Sequence, residues 1–260
     1  MNEPTKKPFG GIERLYGHDA AALLSNSSMA IIGIGGVGSW VAESLARTGI
    51  GKLRLIDLDD LCITNINRQV HALTTTAGES KAYIMAQRIK TINPDCQVDI
   101  LDEFVDTSNI EECLSGSLDY VIEAIDAAVV KAAIIAWCKR RKLPIVCIGG
   151  AGGKIDPRQV TISDISKTWN DPLLAKVRSQ LRSYHGYSRN LKKSYGIDCV
   201  YSPEQPKYPD GQGGVTQDKP DMAGGLDCSS GFGSATHITA TFAQFAVARA
   251  IEKTLSKLNK

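Results

Sequence analysis

An α/β fold built on a doubly wound, mostly parallel sheet is what this sequence predicts, and three observations carry the expectation. Short apolar runs alternate with helical periods from residue 29 to 148, and a glycine-rich turn joins the first run to the first helix. The chain has 260 residues, 43% of them apolar, enough for one large core. Residues 1–28 read as an N-terminal arm containing a helix. Residues 29–34 read as a buried strand, and 37–48 as a helix with Val41 and Leu45 facing inward. The next strand is 53–57. A helix over 81–92 sets Ile84, Met85, Arg88 and Ile89 at helical spacing, and Asn93-Pro94 stops it. The runs 98–101, 120–122 and 145–148 are further strands, with a helix over 128–141 between the last two. Such near-continuous apolar strands need helices on both faces of the sheet.

Beyond Gly149 the texture changes. Gly149-Gly150-Ala151-Gly152-Gly153 is a break, and 160–165 reads as one more strand. The stretch 196–225 holds four prolines and five glycines after Gly196, so it reads as a mobile Gly/Pro-rich loop. A helix over 236–258 closes this C-terminal extension, with Ile238, Phe242, Phe245, Ile251, Leu255 and Leu258 on its apolar side.

Charge narrows the function. Thirty Lys and Arg against 28 Asp and Glu leave a net charge of +2, which excludes a general cationic coat but permits a local patch. Residues 167–193 are that patch, with seven basic residues against one Asp. The seven cysteines are scattered and form no Cys-x-x-Cys pair, which disfavours structural zinc and a disulfide framework. The N-terminal MNEPTKKPFGG lacks the apolar stretch of a secretory leader, so reduced thiols in a cytoplasmic protein are expected. Residues 231–251 carry His237, Gln244 and Arg249, which are costly in hydrocarbon, so no membrane span is expected.

The chemistry begins at Gly33-Ile34-Gly35-Gly36-Val37-Gly38. These glycines permit a tight turn and close backbone approach, so a phosphate can rest on the amides at a helix N-terminus. Asp57, 24 residues after Gly33, ends the next strand and suits a ribose hydroxyl. By itself this Rossmann-like pattern fits NAD or FAD. Further residues argue for nucleotidyl transfer: Asp59, then Asn65 and Arg68, then Lys81 and finally Asp126 at a strand end. A hydride-transfer site has no need of Arg and Lys beside its pyrophosphate. Attack on an α-phosphate does, because charge builds on the departing group.

Gly-x-Gly-Gly-x-Gly, Asp-x-Asp, Asn-x-x-Arg-Gln, Lys and Asp together resemble the adenylating domain of the ubiquitin-activating, molybdopterin- and thiamine-biosynthesis superfamily. Phe9–Tyr16-Gly17, 149–157 and Asp227-Cys228-Ser229-Ser230-Gly231-Phe232-Gly233 resemble its tRNA threonylcarbamoyladenosine dehydratase branch. The resemblance implies ATP and Mg²⁺ as cofactors, tRNA as substrate and a homodimer. Gly33, Gly35, Gly36 and Gly38 would cradle the phosphates, with Asp57 on the ribose and Asp59 beside it. Asn65, Arg68 and Lys81 would contact the triphosphate, Asp126 would hold Mg²⁺, and Arg14 would reach the partner's γ-phosphate. Cys228 is the candidate reactive thiol. The chain would be a single adenylating domain, divided into the arm 1–28, a nucleotide-binding core 29–165 and a substrate and dimer extension 166–260. In the patch, Lys176, Arg178, Arg182, Arg189, Lys192 and Lys193 would meet tRNA phosphates, with Tyr184 or Tyr187 stacking on a base. Two alternatives remain at this point. One is a module that adenylates a carrier protein, with a cysteine desulfurase or sulfur-acceptor protein as partner. The other is an NAD-linked oxidoreductase.

Overall fold

The computed structural model describes residues 8–190, 192–218 and 232–258. Two short helices, α1 (Gly10–Tyr16) and α2 (His18–Ser25), lead into β1 (Ser28–Ile32), α3 (Gly38–Thr48) and β2 (Lys52–Ile56). Then follow α4 (Lys81–Ile92), β3 (Gln97–Leu101), α5 (Ile110–Cys113), β4 (Tyr120–Glu123), α6 (Ala128–Arg141) and β5 (Ile145–Ile148). The remainder comprises β6 (Thr161–Asp164), α7 (Pro172–Tyr184), β7 (Asp198–Tyr201), the small pair β8 (Tyr208–Pro209) and β9 (Val215–Thr216), and α8 (Thr236–Leu255).

Seven strands form one sheet in the order β3-β2-β1-β4-β5-β7-β6. All neighbours pair in parallel except β6, which runs antiparallel to β7 at the edge. Successive β1 residues point to opposite faces, so Met29 and Ile31 enter one core while Ala30 and Ile32 enter the other. The first core takes Val41 and Leu45 of α3, Met85 and Ile89 of α4, and Phe242 and Ala246 of α8. The second takes Ile134 of α6 and Val177 and Leu181 of α7. Helices on both faces explain why every β1 residue is buried and why its sequence shows no alternation. Inside the first layer the buried Glu43 of α3 accepts from Arg47 (2.8 Å) and from Arg88 of α4 (2.6 Å). Burial alone would raise the Glu43 pKa, but these two guanidinium groups hold it below the usual value.

The doubly wound core stands as expected, and 81–92, 128–141 and 145–148 match the observed elements to the residue. The stretch 196–225 needs correction. It contains β7, inserted between β5 and the edge strand, with Cys199, Val200 and Tyr201 buried. A four-residue strand buried on both faces has no periodicity to detect, and the surrounding Pro and Gly mask its composition. Phe245 is partly exposed, and Leu258 lies beyond the end of α8 and is exposed. Among the described residues, no helix is long and apolar enough to cross a membrane.

Candidate active site

Strand order reverses between β1 and β4, and the crevice at the carboxyl ends of these strands is where α/β sheets take ligands. Three of the four motif glycines have distinct steric reasons to lack a side chain. Gly33 has a φ of +86°, and a Cβ there would lie 3.0 Å from Ile125 Cγ2. A Cβ on Gly38 would sit 1.8 Å from the Gly33 carbonyl oxygen, so only glycine lets α3 start this close to β1. A Cβ on Gly36 would press on Thr239 at 3.1 Å. Gly35 is the opposite case: nothing lies within 4 Å of the position, leaving the backbone open to a ligand. No side chain caps α3 at Val37; the Ser39 N–H bonds back to the Gly35 carbonyl at 3.1 Å, and the amides of 35–38 remain available to an anion.

Asp57 closes one side. Its Oδ2 accepts from the Ile34 N–H at 2.5 Å and its Oδ1 from the Asp59 N–H at 2.9 Å. Burial raises its pKa, while the Lys81 charge pulls it back. Each carboxylate oxygen keeps a further lone pair. Lys81, the first residue of α4 and itself buried, donates through Nζ to Asp59 at 2.6 Å and through its backbone N–H to the Asp59 carbonyl at 3.0 Å. Ser80 caps that helix, accepting from the Tyr83 N–H. Asn65 ends a single 3-10 turn (Ile63–Asn65), its Oδ1 accepting from the Cys62 N–H at 3.0 Å. Arg68 donates to the Thr64 carbonyl at 2.7 Å, and its stem lies 3.7 Å from where a Gly36 Cβ would be. Its carbonyl accepts from the Trp40 indole and from Thr239, each at 3.1 Å, which ties the segment to α3 and α8.

Asp126 faces the crevice edge from the loop between β4 and α6. It is exposed and forms no hydrogen bond or ion pair among the described residues. It does not cap α6, whose N-cap is Ala127. Beneath it lies a pair that sequence reasoning missed. Lys131 Nζ, fully buried, donates to Glu123 Oε2 at 2.5 Å and to the Ile148 carbonyl at 2.9 Å. Glu123 Oε1 in turn accepts from the Ile125 N–H at 2.9 Å, fixing the loop's first turn. Burial pushes the Glu123 carboxyl up, and the Lys131 charge opposes it. The available signal was a Glu ending an apolar strand and a Lys within an apolar helix.

The glycines, Asp57, Asp59, Asn65, Arg68, Lys81 and Asp126 thus come from segments bordering one crevice. Arg14 does not join them. It is exposed on α1, whose Phe9 neighbour packs under Gly49 at the far end of α3 from the glycine turn. Cys228 lies outside the described residues. Among the described residues no group of three His, Cys, Asp or Glu side chains could hold a metal, so Asp126 stands as a lone free carboxylate.

The basic run 167–193 starts near the carboxyl ends of the strands and leads away from them. The α7 N-cap Asp171 sits beside Gly150 after β5, accepting from its N–H at 2.8 Å, and 13 helical residues then carry the chain about 20 Å toward the other sheet edge. There Arg182 donates to the Tyr195 hydroxyl at 2.7 Å, and Tyr187 packs edge-on against Tyr195. Arg182 and Tyr187 thus each have a partner within the chain, and residues 182–193 lie away from the crevice.

Residues 12–254 match the ThiF family. The chain is 48% identical to the tRNA threonylcarbamoyladenosine dehydratase of Escherichia coli over 259 residues, 99% of this chain and 97% of that protein. Crystal structures of E. coli tRNA N6-threonylcarbamoyladenosine dehydratase in complex with ATP and with AMP each match with a TM-score of 0.87 at 47% identity. The matches cover 97% of this chain, and 95% and 96% of those chains respectively.

Proposed function

The chain belongs to the ThiF family, and from that premise we infer that it dehydrates N6-threonylcarbamoyladenosine in tRNA at the expense of ATP. The observation that carries the reading is an open phosphate cradle at the start of α3, bordered by Arg68 and Lys81 and overlooked by the unpaired Asp126. The threonyl carboxylate attacks the α-phosphate of ATP, and pyrophosphate leaves. The neighbouring carbamoyl group then closes on the activated carbonyl, and AMP departs with the carboxylate oxygen. The net change is loss of one water and formation of a ring. Ring closure within one side chain already has a high effective molarity, so the protein's work is positioning and charge stabilisation.

The glycine-turn amides hold the phosphates, and Asp57 uses its remaining lone pairs on the ribose hydroxyls. Asp59 orients Lys81, Asn65 shapes the turn that delivers Arg68, and the two cations stabilise the departing pyrophosphate. Asp126 suits Mg²⁺, which keeps several waters and draws its other ligands from phosphate, so one free carboxylate is enough. When bound, Mg²⁺ neutralises phosphate charge. Arg14 serves the site of a partner subunit in a homodimer, and a tRNA substrate fits a cytoplasmic protein. The whole chain acts as one adenylating domain, with the arm 1–28 carrying Arg14 and the extension 166–260 meeting the RNA.

The direct test is to incubate the protein with ATP and tRNA from a strain lacking it, then weigh the nucleosides for loss of one water. Arg68→Ala, Lys81→Ala and Asp126→Ala should each lower turnover about a hundredfold or more, as removing one transition-state donor costs about 3 kcal/mol. Near-wild-type turnover in all three contradicts adenylation at this crevice.

A further inference from the structure

A second concavity opens at the same carboxyl edge of the sheet, past the ends of β5 and β7. It is a groove of about 750 Å³ whose lining includes Ile155, Arg158, Trp169, Asn170, Glu204 and Lys207. We propose that this groove seats an unpaired anticodon-loop base of the tRNA, neighbouring the nucleotide under modification, with Trp169 as the stacking platform. The proposal rests on the dehydratase reading and adds to it the place where the RNA is gripped.

Four observations carry it. The first is an aromatic ring left in water: Trp169 is 56% exposed, although large aromatics normally bury their area. Base-on-aromatic stacking is the common means of holding unpaired RNA.

Rigidity is the second. Lys154, itself buried, runs beneath the groove and donates to the carbonyls of Asn170, Ser202 and Glu204. Asn170 Nδ2 donates to the Pro203 carbonyl at 3.1 Å, and the Glu204 carboxylate accepts from the Ile155 and Asp156 N–H groups at 3.0–3.1 Å. Three separate chain segments are thereby locked into one preformed shape.

Charge is the third. Both carboxylates at the groove are already engaged, Glu204 by those amides and Asp156 by Arg158 and Gln159. Lys207 makes no ion pair among the described residues, while Arg158, paired with Asp156, keeps a side chain that is 88% exposed. The groove thus offers RNA one unpaired cation, Lys207, beside carboxylates that are already engaged.

Distance is the fourth. The first turn of α8 stands between groove and crevice. Thr236 donates to the Asn67 carbonyl and Thr239 to the Arg68 carbonyl on the crevice side, while the His237 ring approaches the Ile155 carbonyl at 3.2 Å on the groove side. One helix width, about 10 Å, separates the two. That span suits one RNA strand with its modified nucleotide in the crevice and a splayed neighbour in the groove.

The test uses the full-length protein and tRNA from a strain lacking it, measuring tRNA affinity across a salt series and, separately, ATP-induced thermal stabilisation. Trp169→Ala should weaken the tRNA Kd about tenfold or more, and Trp169→Phe should restore most of it. Lys207→Ala should lower the salt slope by about one. Neither variant should alter the ATP-induced shift, since neither residue touches the cradle. If Trp169→Ala binds tRNA as the wild type does, while the wild type dehydrates that tRNA, the groove assignment falls and the dehydratase reading survives. Loss of the ATP-induced shift in Trp169→Ala also overturns the assignment, because the ring then supports the fold instead of the RNA.

Discussion

His71 is a buried imidazole at odds with its surroundings. Only 1% of it is exposed, and neither ring nitrogen has a hydrogen-bond partner among the described residues. Burial, followed by the nearby charges of Lys81 and Arg88, pushes its pKa from 6.5 down to about 4. The sign of the consequence follows from linkage. Below about pH 6.5 the unfolded chain takes up a proton that the folded chain refuses until about pH 4, so stability falls as pH falls through that window. The full loss amounts to about 3 kcal/mol. His71→Leu should remove this dependence, so urea midpoints of wild type and variant, measured from pH 7 to pH 4.5, should change by different amounts, the variant losing less. Parallel profiles would mean that His71 finds a partner or access to water. The same residue-scale logic separates Asp126 from its neighbours: Asp57 and Asp59 are engaged by amides and Lys81, and Asp126 is left free for a ligand.

At the scale of elements, the β4–α6 connection is held from below by Glu123, Lys131 and the Ile148 carbonyl. Lys131→Met leaves Glu123 buried without its cation and should cost about 3–5 kcal/mol, whereas Glu123→Leu with Lys131→Met should recover most of that loss. Adenylation should remain impaired in the double variant, because the Ile125 N–H has lost its acceptor and the Asp126 loop its shape. Urea unfolding beside turnover checks both halves; a double variant no more stable than Lys131→Met would show that the pair is not coupled. This pair also marks how far the sequence could be read. Glycine spacing and acids just past the strands identify the crevice because they are steric and electrostatic demands written into local runs, as Gly33, Gly38, Asp57 and, three residues beyond β4, Asp126 illustrate. Lys131 was opaque because its partner stands eight residues away, and its carbonyl acceptor on β5 seventeen, a meeting that only the sheet brings about. The strand β7 was hidden for a related reason. Its four residues are set by pairing with β5 and β6, and nothing local distinguishes them from the Pro- and Gly-rich chain around them.

At the scale of the whole molecule, Arg14 stands apart from the crevice of its own chain, and the proposed role for it requires a partner subunit. Phe9, beside the start of α1, packs at Gly49, which follows the last residue of α3, while the phosphate cradle opens at the first. Eleven residues of α3 separate these ends by about 16 Å. Arg14 stands exposed beside Leu15, which is 71% exposed, the crossover from β2 to α4 exposes Leu58, Ile63, Ile66 and Leu73, and the first turn of α4 exposes Tyr83. Apolar surface of this kind around a functional crevice suits a partner. A two-fold dimer would exchange arms reciprocally, each Arg14 serving the other subunit's cradle. Subunit mixing tests this without any structure of the dimer. Arg14→Ala and Lys81→Ala should each be inactive alone. In an equal mixture allowed to exchange subunits, half of the dimers carry one of each, and in each of these one site has both residues. Activity should therefore return to about a quarter of the wild-type value under random pairing. If Arg14 acted within its own chain, each subunit would keep its own defect and no mixture would recover, so an inactive mixture with exchange verified by mass would place Arg14 in cis.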